Sequence, residues 1–361
     1  MTNSNHQQDD FSSIRNQGLQ AIRGFAAISV MLFHGSQIIK EHTGYSEPEV
    51  LFNQGYLGVD IFFVLSGFII AYTRAKKKEQ ALIFLSKRIS RIFPSYWIAT
   101  SLLILGYTLF PQHDQPFKTD SSIILGSFML LPQPRYVLGV AWTLYYEMIF
   151  YTWCSITRDL SSMWTSGLAW SGLILGALAF DVKTSLYWVN SLLNPVILEF
   201  FLGFITARAF CNLSLSSNQG RIIMFLGFLS LSITVLATKL LHIYPPETNA
   251  QDTTRIIFFG LPSAIIVFGA AYWNNHRVGL LSRIGDSSYS LYLIHGTIIS
   301  TMMIILERFQ LKTIAFKNEF LSGTTSAAIF MATILAAFLF ANLLERPSSR
   351  MARRVILKHL P

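Results

Sequence analysis

The chain has 361 residues, of which 52% are hydrophobic and only 13% are charged, and its mean hydropathy is +0.44. A soluble chain usually carries about 25% charged residues, so this composition excludes a soluble globular protein and indicates an integral membrane protein. The net charge of +9 does not indicate a nucleic-acid partner. The excess basic residues lie at the ends of apolar segments, where membrane topology accounts for them.

The first apolar segment, LQAIRGFAAISVMLFHGSQII, carries two ionisable residues, Arg23 and His34. No small-residue cleavage site follows it convincingly, so we expect it to stay in place as a helix rather than to be removed as a signal peptide. The spacing corresponds to about 1100° of helix rotation, so both side chains lie on one face, roughly 16 Å apart along the axis. Because an ionisable group in hydrocarbon is unfavourable unless it faces protein or water, the pair predicts a polar cavity within the membrane.

Ten segments of membrane-spanning length succeed one another, and their continuous apolar character indicates helices rather than a barrel. The stretch 122–132 is too short to cross, so we predict an interfacial or re-entrant piece there. The predicted fold is an all-α integral membrane protein with a polar catalytic cavity inside the bundle. Its membrane domain, 19–347, lies between polar tails at 1–18 and 348–361. The ten predicted spans are 20–39, 56–73, 92–110, 137–157, 163–180, 193–209, 222–238, 255–273, 288–306 and 323–344.

The distribution of lysine and arginine sets the predicted orientation, because basic residues favour the cytoplasmic side of short loops. With the amino terminus inside, ten spans return the carboxyl terminus to the same side, and most basic residues then fall on inside segments. Both termini are therefore predicted to be cytoplasmic.

The densest basic run, RAKKKEQALIFLSKRISRIFPSYW, allows two interpretations. Membrane topology and anionic lipid headgroups account for its lysines. Arg88 and Arg91 lie three residues apart on one helix face, and guanidinium groups bind phosphate through two parallel hydrogen bonds. They are candidates to bind a cytoplasmic phosphorylated donor.

Further ionisable residues lie inside predicted spans. Asp60 is near the outer end of the second span, at a depth that we expect to be similar to that of His34. Glu147 and Glu199 are near the middle of the fourth and sixth spans, where carboxylates require partners. For His295, in the ninth span, a hydrogen-bonded structural role is the simpler interpretation. No metal site is expected, because the two cysteines are far apart and form no ligand pattern.

Over residues 19–347 the chain resembles the acyltransferase 3 family of polytopic membrane acyltransferases. The family's pattern of an arginine, ten residues and a histidine matches Arg23 and His34. Two features depart from the family. Thr143 replaces a common serine, and no extracytoplasmic hydrolase-like domain is expected after the last span. The other matching blocks, in the family's order, are GVDIFFVLSGF at 58–68, RISRIFPSYW at 88–97, WTLYYE at 142–147 and SYSLYLIH at 288–295.

The resemblance implies transfer of an acyl group, usually acetyl, from cytoplasmic acetyl-CoA to a hydroxyl of an exopolysaccharide, lipopolysaccharide O-antigen or similar glycan. The enzyme is then expected in the bacterial inner membrane. Its expected partners are a glycan or lipid-linked glycan acceptor, membrane lipid and glycan-assembly proteins. The sequence does not specify an oligomeric state.

Roles for the six candidate residues follow from this resemblance. His34 is expected to be the general base that accepts the acceptor proton, and a route through an acyl-imidazole on the same ring stays open. Arg23 is expected to hold a donor phosphate or to stabilise developing negative charge. Arg88 and Arg91 are expected to bind the nucleotide end of the donor. The residues expected to orient the imidazole are Asp60 and Glu147.

A second class of function fits the residues without the resemblance. Ten helices with buried carboxylates, histidines and arginines also describe a proton-coupled secondary transporter, and a glycan flippase is a third reading. Transporters often show a repeated hydropathy pattern and paired broken helices, and the sequence shows neither.

Overall fold

A computed structural model of the chain describes residues 16–76, 79–109, 120–157, 159–240, 253–273 and 279–358. Within these ranges the regular structure is helical, and they contain no strand. Most of the predicted amino-terminal tail and residues 110–119 and 241–252 lie outside the described residues. The all-α prediction is confirmed for the part that is described.

The helices are numbered here in chain order. Three shorter elements interrupt the α-helices: a 3₁₀ turn at Gly55–Leu57 and π-helical segments at Ile256–Gly260 and Ala341–Glu345. The α-helices are α1 Gln17–Thr43, α2 Glu47–Phe52, α3 Gly58–Lys76, α4 Ala81–Leu109, α5 Ser121–Phe128, α6 Ala141–Ile156, α7 Leu160–Ala179, α8 Tyr187–Leu192, α9 Ile197–Asn212, α10 Ser217–Leu240, the turn Thr253–Arg255, α11 Leu261–Tyr272, α12 Leu280–Asp286, α13 Ser288–Arg308, α14 Lys312–Ala315, α15 Glu319–Phe340 and α16 Arg346–Lys358.

Seven helices among the described residues are long and apolar enough to cross a membrane. The prediction of ten spans is therefore confirmed only in part, and the side on which each terminus lies stays a prediction. The remaining three predicted spans fall on α6, on α7 and on the shorter apolar helix Ile256–Tyr272. The seven helices are Gln17–Thr43, Gly55–Lys76, Ala81–Leu109, Tyr187–Asn212, Ser217–Ala237, Ser288–Arg308 and Glu319–Ile356.

Helix α1 lies at the centre of the bundle and packs against α3, α11, α12 and α13. Its first turn is capped by Asn16, whose side-chain oxygen accepts a hydrogen bond from the Leu19 amide at 2.9 Å. The Asn16 amide group also donates to the Ala271 carbonyl at 2.8 Å, which attaches the start of α1 to the end of α11. This central position surrounds the ionisable residues of α1 with protein.

Helices α3 and α9 pack closely through glycines. A Cβ atom on Gly67 would lie 2.0 Å from the Phe200 carbonyl oxygen, and one on Gly203 would lie 2.1 Å from the Val64 carbonyl oxygen. Small residues allow membrane helices to approach this closely, and the gain comes from packing of the two backbones. The contact fixes α3 relative to α9, and so holds Asp60 and Glu199 in one region of the bundle.

Helix α5 accounts for the apolar stretch predicted to be too short to span. It has eight residues, Ser121–Phe128, and is capped by Asp120, whose carboxylate accepts from the Ser122 amide at 2.7 Å. An α-helix needs about 20 residues to cross the hydrocarbon. The short helix is instead held against α4, where the Tyr96 hydroxyl donates to the Ser127 carbonyl at 2.8 Å.

Candidate active site

A cavity of about 100 Å³ lies between α1, α3, α4, α6 and α13. Its lining brings together Arg23, Arg88, Arg91 and Glu147, four of the six residues that the sequence singles out. They come from three helices, and among them only Arg88 and Arg91 are related by their spacing in the sequence. Three guanidinium groups and one carboxylate give the lining an excess of positive charge, which suits an anionic ligand.

The Arg23 guanidinium is the cation on the α1 side of this cavity. The structure gives it no hydrogen bond and no ion pair within 4 Å among the residues described, although Glu147 and Glu345 lie close enough to interact with it electrostatically. Arginine carries five N–H donors. A half-buried guanidinium with unused donors that lines a cavity is positioned to bind a ligand.

Glu147 is held in the cavity wall by two hydroxyl groups. The Ser66 hydroxyl donates to its carboxylate at 3.1 Å, and the Tyr151 hydroxyl, one turn along α6, donates to the same oxygen. The expectation that Glu147 orients His34 does not match these contacts. Its carboxylate instead shares the cavity with the three arginines, where it offsets part of their positive charge.

Arg88 is oriented by aromatic rings. Its guanidinium carbon lies 5.2 Å from the centre of the Phe84 ring and 5.3 Å from that of Tyr151, distances at which the ring quadrupole attracts a cation. Stacking on ring faces leaves the edge of the guanidinium, with its N–H groups, available. The edge is the part that binds phosphate oxygens.

His34 is paired with a second histidine, His295 of α13. The Nδ1 atom of His34 lies 3.0 Å from Nε2 of His295, and the two rings are stacked at an angle of 23°. The Nδ1 atom of His295 lies 3.1 Å from the Leu291 carbonyl oxygen. His295 is buried, whereas His34 is only partly buried.

These distances fix the proton positions of the neutral pair. A carbonyl oxygen only accepts, so Nδ1 of His295 carries a proton and its Nε2 is an acceptor. Nδ1 of His34 must then donate to that Nε2 atom. Because a neutral imidazole has one proton, Nε2 of His34 carries an unprotonated lone pair. This is the tautomer that a general base or nucleophile requires.

Neither His34 nor His295 lines the arginine cavity, and Tyr292 lies between the cavity and the histidine pair. Tyr292 and Thr143 both line the cavity, and their hydroxyl oxygens lie 2.7 Å apart. The Tyr292 ring is 6.1 Å from the ring of His295. Thr143, the residue that departs from the family's usual serine, still supplies a hydroxyl at this position.

Asp60 does not contact the histidines. Its carboxylate accepts two hydrogen bonds of 2.9 Å from the Nε and Nη2 atoms of Arg255, and both side chains are at most 3% exposed. Glu199, fully buried on α9, interacts with both of them. The expectation that Asp60 orients His34 does not match these contacts, because the carboxylate is occupied by Arg255.

The contact of His295 with His34 is one that sequence reasoning missed. The signal was present, since an ionisable residue inside a span is a functional candidate, but a structural role was the simpler interpretation for a single histidine. Its partner could not be identified, because His34 and His295 are 261 residues apart in the chain.

We expect His295→Leu to lower the turnover of whatever reaction uses His34 by about ten-fold or more, because the acceptor that selects the His34 tautomer is lost. His295→Gln keeps a carbonyl acceptor and should recover part of the rate. The measurement is kcat and KM for the donor in both variants. Equal loss in both, with an unchanged donor KM, would remove the tautomer argument and leave a packing role.

The chain is similar to a known family of membrane proteins and to individual members of it. The chain matches the family model of the acyltransferase domain, Acyl_transf_3, over residues 16–344. It is 27% identical to the exopolysaccharide production protein ExoZ of Rhizobium meliloti (strain 1021), across 90% of this chain and 96% of that protein. It is 23% identical to the acyltransferase MdmB of Streptomyces mycarofaciens, across 94% of this chain and 93% of that protein. No solved structure matches. The family match includes the arginine cavity and both histidines.

Proposed function

This chain belongs to the acyltransferase 3 family and is a multi-pass membrane acyltransferase, and we propose that it moves an acetyl group from acetyl-CoA to a hydroxyl group of a cell-surface or secreted polysaccharide. The similarity to an exopolysaccharide production protein supports a glycan acceptor. The enzyme acts in the bacterial inner membrane, with the donor on the cytoplasmic side.

The observation that carries this proposal is the hydrogen-bonded pair of His34 and His295 in the same bundle as an arginine-lined cavity. The pairing makes Nε2 the acceptor atom of the His34 ring. Acyl transfer from a thioester requires a base for the acceptor hydroxyl and a cationic site for a phosphorylated donor. The two requirements are met by adjoining parts of the bundle. A proton-coupled transporter would use titrating groups along a path, but it would not require a histidine held in one tautomer.

In the proposed reaction, Nε2 of His34 accepts the proton of the acceptor hydroxyl while the hydroxyl oxygen attacks the thioester carbonyl carbon. The new C–O bond forms, and the C–S bond then breaks. The departing CoA thiolate takes the proton back from the imidazolium of His34. His295 keeps Nδ1 of His34 protonated throughout, so both the atoms and the charge balance.

The donor lies along the arginine cavity in this account. Arg88 and Arg91 bind the phosphates at its nucleotide end, and Arg23 is the cation deeper in the bundle on the path to His34. Glu147, hydrogen-bonded to Ser66 and Tyr151, offsets part of the positive charge. Three unopposed arginines would hold the CoA product strongly, so this carboxylate favours product release.

We expect Arg88→Ala to raise the apparent KM for acetyl-CoA by about ten-fold, because a charge-assisted hydrogen-bonding partner of phosphate is lost. Arg88→Lys keeps the charge but loses the planar fork, and it should give an intermediate value. Arg208→Ala is the matched control, since Arg208 is exposed and stacks on Trp164 outside the cavity. If the KM for acetyl-CoA were unchanged in Arg88→Ala, this arginine would serve only to set the membrane topology.

Release of CoA thiol tests the proposed function. The purified protein in lipid nanodiscs is given acetyl-CoA with and without the extracted exopolysaccharide fraction of the organism that encodes it, and free thiol is measured colorimetrically. We expect release that depends on the glycan. No release with either addition, together with proton-coupled uptake of glycan into vesicles, would replace the enzyme by a transporter.

A further inference from the structure

A second cavity, of about 360 Å³, lies beside the first, between the start of α4 and the carboxyl-terminal helix α16. Arg88 and Arg91 line both cavities. The two spaces therefore lie on either side of these two residues, with Arg23 and Glu147 lining the inner one. We call the outer space the basic cleft, and its other polar lining residues are Glu79, Lys87, Ser90, Ser349, Arg350 and Arg353.

The basic cleft carries a strong positive charge. Five lysines and arginines line it against one carboxylate, that of Glu79, and this carboxylate is already paired with Lys87. Four guanidinium groups are left without an acidic partner in the lining. A ligand that neutralises them carries several negative charges close together, as phosphate groups do.

Helix α16 is docked to the site. It packs along α4, and the Ser349 hydroxyl lies 3.4 Å from the Arg91 carbonyl oxygen. Arg350 and Arg353 are three residues apart, so they share one face of α16, and that face lines the cleft. Arg354 has the same charge and is exposed on the same helix, but it is not part of the lining.

Two sources of phosphate are chemically possible here. Anionic lipid headgroups bind basic helices at the inner membrane edge. A soluble nucleotide donor has a different requirement. Its phosphate site must lie next to the cavity in which its thioester end reacts. The sharing of Arg88 and Arg91 between the two cavities favours the nucleotide, because one extended molecule can occupy both.

We propose that α16 forms the outer wall of the donor site and that Arg350 and Arg353 bind the 3′-phosphate of the nucleotide end of a CoA thioester, while Arg88 and Arg91 bind its diphosphate. This rests on the proposed function. A CoA carries about four negative charges, two on the diphosphate and up to two on the 3′-phosphate, which matches the four guanidinium groups. Residues 349–353 lie beyond the part of the chain that matches the family model, so the assignment does not follow from the family.

The test compares binding of CoA with binding of 3′-dephospho-CoA to the full-length protein in nanodiscs of phosphatidylcholine, by isothermal titration calorimetry. We expect the wild type to bind CoA at least about ten-fold more tightly than the dephosphorylated form. The Arg350→Ala/Arg353→Ala variant should lose that preference, and Arg354→Ala should keep it. All three substitutions remove exposed side chains, so the fold should be unaffected.

Three outcomes would overturn the proposal. The first is a double variant that keeps the wild-type preference for CoA, and the second is a wild type that binds both nucleotides equally. The third, measured in nanodiscs that contain phosphatidylglycerol, is a double variant that retains less of this lipid but keeps its affinity for CoA, which would assign the cleft to lipid headgroups. A wild-type protein that binds no CoA would overturn the donor side of the proposed function as well, whereas the first three results leave that function intact.

Discussion

The His34→Ala protein is expected to transfer acetyl groups about 10² to 10⁴ times more slowly than the wild type while binding CoA with unchanged affinity, because only the proton acceptor for the glycan hydroxyl is removed. Its fold should persist. His34 is partly exposed, and its side chain bonds to His295 of α13 and, within α1, to the Val30 backbone, so the substitution leaves the packing of α1 against its other neighbours in place.

A matched histidine gives the control for this prediction. His42 lies on the same helix, and its Nδ1 atom is 3.9 Å from a Glu307 oxygen, away from the arginine cavity. His42→Ala should retain wild-type transfer. Activity at the wild-type level in His34→Ala would remove this residue from the mechanism and with it the role assigned to His295.

The same variants separate the two chemical routes through His34. Incubation with [1-¹⁴C]acetyl-CoA in the absence of glycan should leave the wild-type protein unlabelled if His34 acts as a base. Label that is retained on the wild type after rapid quenching, and is absent from His34→Ala, would indicate an acyl-imidazole intermediate instead.

The Asp60→Ala protein is expected to be less stable by about 3 to 5 kcal/mol, because it leaves the Arg255 guanidinium buried without its partner. The pair is held by two hydrogen bonds of 2.9 Å in a region that is at most 3% exposed. Replacing both members by apolar residues, as in Asp60→Leu/Arg255→Met, should recover much of the loss. Thermal unfolding in detergent, followed by intrinsic fluorescence, measures both.

An exposed ion pair supplies the control for the buried one. Lys183 lies 2.8 Å from Asp181, and both side chains are more than 70% exposed. Lys183→Ala should change stability by less than about 1 kcal/mol. If the Asp60→Ala protein had wild-type stability but no acetyl transfer, Asp60 would take part in the reaction, and its structural role would be contradicted.

Most of the arginine cavity was predictable from the sequence because of a simple physical constraint. Arg23, Arg88, Arg91 and Glu147 lie in or beside apolar segments, and charged groups there must face protein or water. A bundle of helices has few such places, which is why these four residues share one cavity. Helical periodicity also indicated that Arg23 and His34 share one face of α1.

The partners of His34 and Asp60 were not predictable. Depth in the membrane made Asp60 a candidate to orient His34, but depth does not say which helices are neighbours. The observed partners are 261 and 195 residues away in the chain, and their positions depend on contacts such as the glycine-mediated crossing of α3 and α9. No short sequence pattern predicts that these two helices cross.

The position of the segment after the last span was not predicted from the sequence. Residues 348–361 were expected to be a basic tail, and the basic composition alone gives no reason for a defined position. In the structure the helix Arg346–Lys358 continues from the π-helical segment Ala341–Glu345 and packs on α4. A π-helical segment has no reliable sequence signal, so the direction of the chain beyond it was not predicted.

The claim that the protein transfers an acetyl group from acetyl-CoA to a polysaccharide hydroxyl is tested most directly by following a labelled acetyl group. Wild-type protein in nanodiscs is given [1-¹⁴C]acetyl-CoA and the exopolysaccharide fraction, and the polysaccharide is then separated and treated with mild base. The account predicts label on the polysaccharide that mild base releases as acetate, as expected of an O-acetyl ester. Label that stays entirely with CoA, in a preparation that binds CoA and is folded, would contradict it.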